Sequence, residues 1–229
     1  MQIKENIQSP NYSRDPDGTP KMTVKTGVMM HSTVGSFVGA ASWLSTTPEE
    51  RLRRFGKKSW SSAHFLDDRD DPGVVHQLID YAYRAWHAGG VNRRTDRALA
   101  LIGDKDPNNE LLGYEMTNFY DINRDGKVSS DEKTPTRSQM ADFVDRMFEL
   151  EEESKTDEWI DIKAEDFITH FDTNHHKPNM EKAYALAQKM VKERRAISSD
   201  ELSEELHTDC VPNEIKALVG ALVAKLNGK

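Results

Sequence analysis

The stretch Val24-Lys25-Thr26-Gly27-Val28-Met29-Met30-His31-Ser32-Thr33 is rich in β-branched and apolar residues, holds a glycine, and ends on small polar residues. That composition reads as a buried strand running into a loop. His31 stands where the strand gives way. In α/β folds ligands bind beyond the carboxyl ends of strands, and a strand end holds a side chain rigidly. A lone histidine is more often structural than functional, so the standing of His31 depends on partners further along the chain.

The 229 residues suit one sizeable domain with a small appendage, or two small domains. Hydrophobic residues make up 36% and charged residues 31%, a polar, soluble balance. With 31 Lys and Arg against 39 Asp and Glu, the net charge of −8 argues against nucleic-acid partners and a polybasic membrane anchor. The single cysteine, Cys210, excludes an internal disulfide framework. The N-terminal Met1-Gln2-Ile3-Lys4-Glu5-Asn6 has no basic-then-apolar pattern, and no run reaches transmembrane length. The expectation is a protein made in the cytoplasm without a signal peptide, with no membrane insertion.

Residues 1–22 read as a polar leader lying over the surface. Thr47-Pro48-Glu49-Glu50 is a helix start, with Thr47 as N-cap and Pro48 in the first turn, and Gly56 ends that helix near Phe55. Ser61–Leu66 and Val74–Ile79 read as strands joined through the turn Asp70-Asp71-Pro72-Gly73, a hairpin. Tyr83-Arg84-Ala85-Trp86-His87-Ala88-Gly89-Gly90 suits a loop lining a cleft. Glu110–Met116 reads as a further strand, placing Glu115 between Tyr114 and Met116. On a cleft face such a carboxylate would have a raised pKa and could carry protons.

Asp121-Ile122-Asn123-Arg124-Asp125-Gly126-Lys127-Val128-Ser129-Ser130-Asp131-Glu132 fits the calcium loop of an EF-hand. Asp121, Asn123 and Asp125 would supply side-chain oxygens, Lys127 its carbonyl, Ser129 a hydroxyl or bridging water, and Glu132 a bidentate carboxylate. The flanks depart from the pattern: a strand precedes the loop, and Pro135 cuts short any exiting helix.

From Thr136 to about Ser154 a stripe of Met140, Phe143, Val144, Met147, Phe148 and Leu150 predicts a helix packed on the core. Asp166–Asp172 is a short apolar piece carrying a second candidate histidine, His170. A helix follows from about Asn179 to Arg195. Ser198 with Glu201 forms a capping box, and Ile215, Leu218, Val219, Leu222, Val223 and Leu226 fall at helical spacing. The expected fold is α/β: a central mixed β-sheet flanked by helices, with a C-terminal helical hairpin. The expected division is residues 1–197, with the loop 121–132 inserted, and an appendage at 198–229. The apolar face of that appendage would dock on the main domain, on a second copy in self-association, or on a target, with docking favoured by the short connection.

Five short motifs, in order, resemble the zinc-dependent type 2 N-acetylmuramoyl-L-alanine amidases, which share a fold with peptidoglycan recognition proteins. They are Met30-His31-Ser32-Thr33, Ser62-Ala63-His64-Phe65, Ala85-Trp86-His87-Ala88-Gly89, Leu112-Gly113-Tyr114-Glu115-Met116, and Ile168-Thr169-His170-Phe171-Asp172 with Lys177. The resemblance implies that His31 and His170 bind Zn2+. Glu115 would act with the zinc-activated water, and Lys177 would stabilise the tetrahedral intermediate. His64, Trp86 and His87 would line the groove for bacterial peptidoglycan. Ala63 stands where some phage members carry a catalytic tyrosine, which shifts proton transfer onto Glu115. The resemblance implies a third ligand, an aspartate or cysteine two positions after the lysine, and here that position is Asn179. An amide is a poor zinc ligand, so His176 in the same loop is the alternative.

The implied activity is hydrolysis of the amide joining N-acetylmuramic acid to L-alanine, in a phage endolysin that reaches the wall after holin-type release. Ca2+ in the inserted loop would be structural. Two competing readings are a non-catalytic peptidoglycan-binding protein of the same fold and a calcium-regulated interaction protein.

Overall fold

The computed structural model describes residues 1–119, 135–175 and 180–206, with 34, 118–119 and 198–206 as backbone only. The strands are β1 (Gln2–Lys4), β2 (Gly27–Val34), β3 (Phe65–Asp67), β4 (Val74–Gln77), β5 (Leu111–Phe119) and β6 (Phe167–Thr169). The helices are α1 (Phe37–Leu44), α2 (Pro48–Phe55), α3 (Asp96–Ile102), α4 (Pro107–Glu110), α5 (Arg137–Glu153) and α6 (Glu181–Leu206). The strands form one mixed sheet in the order β1-β4-β3-β5-β2-β6, with only β3 and β4 antiparallel. The expected α/β class and the β3–β4 hairpin are present.

Side chains alternate across a strand, so each strand of the sheet sorts its residues into two sets. Val28 and Met30 share a face with Leu112, Tyr114 and Met116, all buried. Helix α5 covers this face: Phe143 meets Tyr114 edge-on at 5.0 Å between ring centroids and Phe167 at 5.1 Å. The opposite face carries Met29, His31 and Thr33 beside Gly113, Glu115 and Thr117 in parallel register. Gly27 is required where β2 meets β6, because a Cβ there would lie 2.7 Å from the Asp166 carbonyl oxygen.

Local signals explain the helix ends. Thr47 caps α2 by accepting from the Glu50 amide, and Gly56 closes it in the left-handed region at φ 66°. Thr136 and Gln139 form a reciprocal capping box at the start of α5. The structure also adds elements that the sequence reading lacks. The leader supplies β1, which pairs with β4 through Gln2, Ile3 and Lys4. Ser36 caps α1, which buries Ala40, Ala41 and Leu44 against Leu66, Leu78 and Ile79.

The chain divides into two compact units, Met1–Ala187 and Gln188–Lys229. Helix α6 runs unbroken to Leu206, so the Ser198–Glu201 box lies inside a helix instead of starting one. No glycine or proline interrupts residues 181–206, and a capping pattern without a breaker before it does not end the preceding helix. The second limb of the expected hairpin, the calcium-type loop (Asp121, Asn123, Asp125, Lys127, Glu132), and Lys177, Asn179 and His176 lie outside the described residues. No helix among the described residues is long and apolar enough to cross a membrane.

On the α5 side, Asp67 of β3 is fully buried. Its Oδ2 accepts from the Tyr114 hydroxyl at 3.2 Å, while Oδ1 has no hydrogen-bond partner among the described residues. Burial, reinforced by the nearby Asp142 carboxylate, pushes its pKa up to about 8. In the unfolded chain the same group titrates near ~3.9. Between these values the folded state binds the extra proton, so this stabilisation is complete below the lower pKa and is lost as pH rises through the upper one. Stability measured by urea denaturation should fall from about pH 5 to pH 8 by up to ~1.4 kcal/mol per pH unit from this group. Asp67→Asn should remove that slope; an unchanged slope would show that Asp67 is ionised in the folded protein.

Candidate active site

The site follows from the pairing of β2 with β5. His31 is directly opposite Glu115 in the register, and Thr33 is two residues further along the same face of β2. His31 Nδ1 lies 3.7 Å from Glu115 Oε1. The Thr33 hydroxyl donates to Glu115 Oε2 and so fixes the carboxylate from its other side. Strand β6 flanks β2 and ends at Thr169, which delivers His170 into a short 3-10 turn. The His31 and His170 rings meet edge-to-face with centroids 4.4 Å apart.

The loop Trp86-His87-Ala88-Gly89 closes this group from above. His87 is 6% exposed, and its Nδ1 lies 3.1 Å from His31 Nε2. Its Nε2 donates to the Leu111 carbonyl at 2.9 Å. Burial pulls its pKa down to about 3, against the opposing pull of that hydrogen bond. His170 Nε2 donates to the Ala88 carbonyl at 2.7 Å. The backbone of the loop is itself clamped: Asn108 Oδ1 accepts from the amides of His87 at 3.0 Å and Ala88 at 2.9 Å.

The turn bearing His170 is held by Asp172, a buried carboxylate. Asp172 accepts from the Thr169 amide and hydroxyl, both at 2.8 Å, and from the Thr95 hydroxyl at 2.7 Å. Arg97 bridges Asp172 and Glu181. Burial raises the Asp172 pKa, but the bonds from Thr95, Thr169 and Arg97 outweigh it and hold the carboxyl below its usual range. Further along, Asn92 and Arg93 donate backbone amides to the Thr173 carbonyl, at 3.1 and 3.3 Å.

A cavity of about 590 Å³ opens over His31, Glu115 and His170. One wall is α1, through Gly39, Ala40, Trp43 and Leu44; Trp86 and Ser61–Ser62 form another. The α1 wall is braced from behind by Arg51 of α2, which is fully buried and donates from Nε to the Trp43 carbonyl at 2.7 Å and from its guanidinium to the Ser59 carbonyl at 2.7 Å. Trp86, 40% exposed, lies over the Arg84 guanidinium, 3.9 Å from ring centroid to Cζ.

The structure therefore brings His31, His170, Glu115, Trp86 and His87 together. It does not bring His64 into the cavity. His64 is fully buried, donating from Nε2 to the Tyr83 carbonyl at 2.9 Å and accepting from the Gly113 amide at Nδ1 at 3.0 Å. Both ring nitrogens tie β3 to its neighbours, and burial holds its pKa well below the usual value. Its expected place in the groove is corrected to a structural one. The sequence reading also missed Thr33, Asn108 and the α1 wall. Thr33 was findable, since alternation puts it on the face of His31. Asn108 carried no signal, because its partners are backbone amides of a distant loop.

Among the described residues no three His, Cys, Asp or Glu side chains are posed together to hold a metal ion. His31 and His170 nevertheless fit zinc chemistry: each has Nε2 in a hydrogen bond to another protein group, the arrangement that orients ligating imidazoles.

A family model described as N-acetylmuramoyl-L-alanine amidase matches residues 20–181. The chain belongs to this family. Among solved structures it is similar to a selenomethionine derivative of AmpD, at 17% identity and a TM-score of 0.51, over 82% of this chain and 99% of that one. It is also similar to the catalytic domain of XlyA, at 14% identity and TM-score 0.47 over 82% and 99%. A third is the amidase LysC from Clostridium intestinale URNW, at 15% identity and TM-score 0.44 over 81% and 96%. The AmpD likeness establishes the fold. A comparison with curated proteins finds no match.

The glycine opposite Met29 gives a test of this packing. A Cβ on Gly113 would lie 2.7 Å from His87 Cγ and 2.8 Å from its Cβ. Gly113→Ala should cost about 1–3 kcal/mol of stability in urea denaturation, as overpacking of a filled interior does. Unchanged stability would mean that the His87 ring is not seated against β5.

Proposed function

We propose that this chain hydrolyses the amide bond between the lactyl group of N-acetylmuramic acid and L-alanine in bacterial peptidoglycan, with zinc held by His31 and His170. The observation that carries this reading is His31 lying against both the His170 ring and the Glu115 carboxylate, with all three lining one open cavity. When bound, zinc supplies a Lewis acid that polarises the scissile carbonyl and lowers the pKa of water to about 7. Glu115 takes the proton of the attacking water and passes it to the leaving amine. Thr33 holds the Glu115 carboxylate in one orientation for both transfers. Trp86 and the α1 residue Trp43 offer apolar faces for the glycan and the stem peptide. Lys177 shares the negative charge that develops on the carbonyl oxygen.

The third zinc donor in this proposal is Asn179, in register with Lys177, with His176 the competing ligand; both assignments rest on the family resemblance and ligand chemistry. The inserted loop binds calcium through Asp121, Asn123, Asp125, Lys127 and Glu132, a set of hard oxygen donors, and orders the connection between β5 and α5. The endolysin setting, with holin-type release of a chain made in the cytoplasm, and docking or self-association through the C-terminal helices belong to the same proposal and rest on sequence alone.

The purified chain should contain zinc and calcium by elemental analysis and should clear a suspension of cell walls, with chelation abolishing clearance. Glu115→Gln should keep the zinc and lose most of the turnover, about 100-fold or more, as expected for loss of a general base. His31→Ala should lose both zinc and activity. A Glu115→Gln protein that clears walls at the normal rate would remove Glu115 from the mechanism. A zinc-loaded wild type that binds walls without cleaving them would favour the non-catalytic binding protein.

A further inference from the structure

His31 has two ring nitrogens, and only one tautomer presents Nδ1 as a lone pair towards Glu115. The neighbouring ring decides which. The Leu111 carbonyl can only accept, so the proton of His87 is on Nε2, 2.9 Å away. A buried neutral imidazole carries a single ring proton, which leaves His87 Nδ1 as an acceptor. The 3.1 Å contact between His87 Nδ1 and His31 Nε2 then requires the proton on His31 Nε2. In the neutral ring that metal binding requires, His31 Nδ1 is then the lone-pair nitrogen.

From this geometry we infer that His87 is a positioning residue: it fixes the tautomer of His31 so that Nδ1 faces the metal and Glu115. The inference rests on the zinc reading proposed above for its purpose, though not for its geometry. His170 reaches the same state by a shorter route, with Nε2 donating directly to the Ala88 carbonyl. For His31 the acceptor is an imidazole, and the relay ends on Leu111, the first residue of the strand that carries Glu115. The orientation of the metal ligand is thereby tied to the strand of the proton carrier.

Everything around His87 serves this placement. Asn108 fixes its amide, Gly113 leaves room for its ring, and the ring meets His31 edge-on at 5.2 Å between centroids. His87 lines the cavity beside its exposed neighbour Trp86, but both its ring nitrogens are engaged inside the protein.

The test uses the full chain and two readouts other than activity. Long-range 1H–15N correlation on the metal-free protein should show His31 and His87 both protonated at Nε2. Zinc affinity, measured by competition with a chromogenic chelator, should fall about 10- to 100-fold in His87→Phe, the usual range for loss of a partner that orients a metal ligand. His87→Asn, whose side-chain oxygen can take the place of Nδ1, should restore most of that loss, with circular dichroism confirming that both variants fold. His31 protonated at Nδ1 in the wild type, or a folded His87→Phe with wild-type zinc affinity, would overturn the inference. A wild type that binds no zinc would overturn the zinc centre itself, while the His31 tautomer would still decide the role of His87.

Discussion

The parallel pairing of β2 with β5 is the constraint on which the rest depends. Seven consecutive pairs run in register from Gly27–Leu111 to Thr33–Thr117, ahead of an irregularity between Thr33 and Val34. Because parallel register puts partners on the same face, His31 and Glu115 are neighbours by construction, and so are Met29 and Gly113. A slip of one residue would turn every one of these side chains to the other face, exchanging the histidine with the apolar residues under α5. The hydrophobic burial of Val28, Met30, Tyr114 and Met116 therefore selects the register that makes the site.

The second constraint is the accounting of buried polar groups. Backbone carbonyls at Leu111, Ala88 and Tyr83 each take the Nε2 proton of one histidine. In a neutral ring that leaves Nδ1 as the acceptor nitrogen, and what each Nδ1 then faces sets its role. His64 Nδ1 meets the Gly113 amide and is structural; His87 Nδ1 meets His31; His170 sits at the cavity. Residues of one chemical type are sorted into framework, positioning and site by the partners the backbone offers them.

Much of this was legible beforehand. The helix from Pro48 to Phe55, the β3–β4 hairpin, the Glu115 strand and the helix after Thr136 all carry local signals, namely caps, a Pro-Gly turn, strand composition and an apolar stripe. Helix α1 was not legible, since Phe37–Leu44 mixes Gly39 and Ser42 with apolar residues and lacks a clean stripe. Strand β1 is three residues long and gains its identity only by pairing with β4. The place of His64 was misread for a different reason. Sequence order says which residues share a motif, but not whether a ring turns to the cavity or to a carbonyl of a distant strand. The continuity of α6 through Ser198 shows the related limit of a capping pattern that stands without a helix breaker.

The family membership and the geometry around Glu115 meet in one claim, that this chain cuts the bond between glycan and peptide. The measurement that tests it most directly is mass spectrometry of purified peptidoglycan after digestion by the wild-type chain. The account predicts stem peptides released with a free α-amine on L-alanine, together with intact glycan strands that gain no new reducing ends. Products that keep peptide attached to muramic acid, whether cut within the peptide or within the glycan, would contradict it.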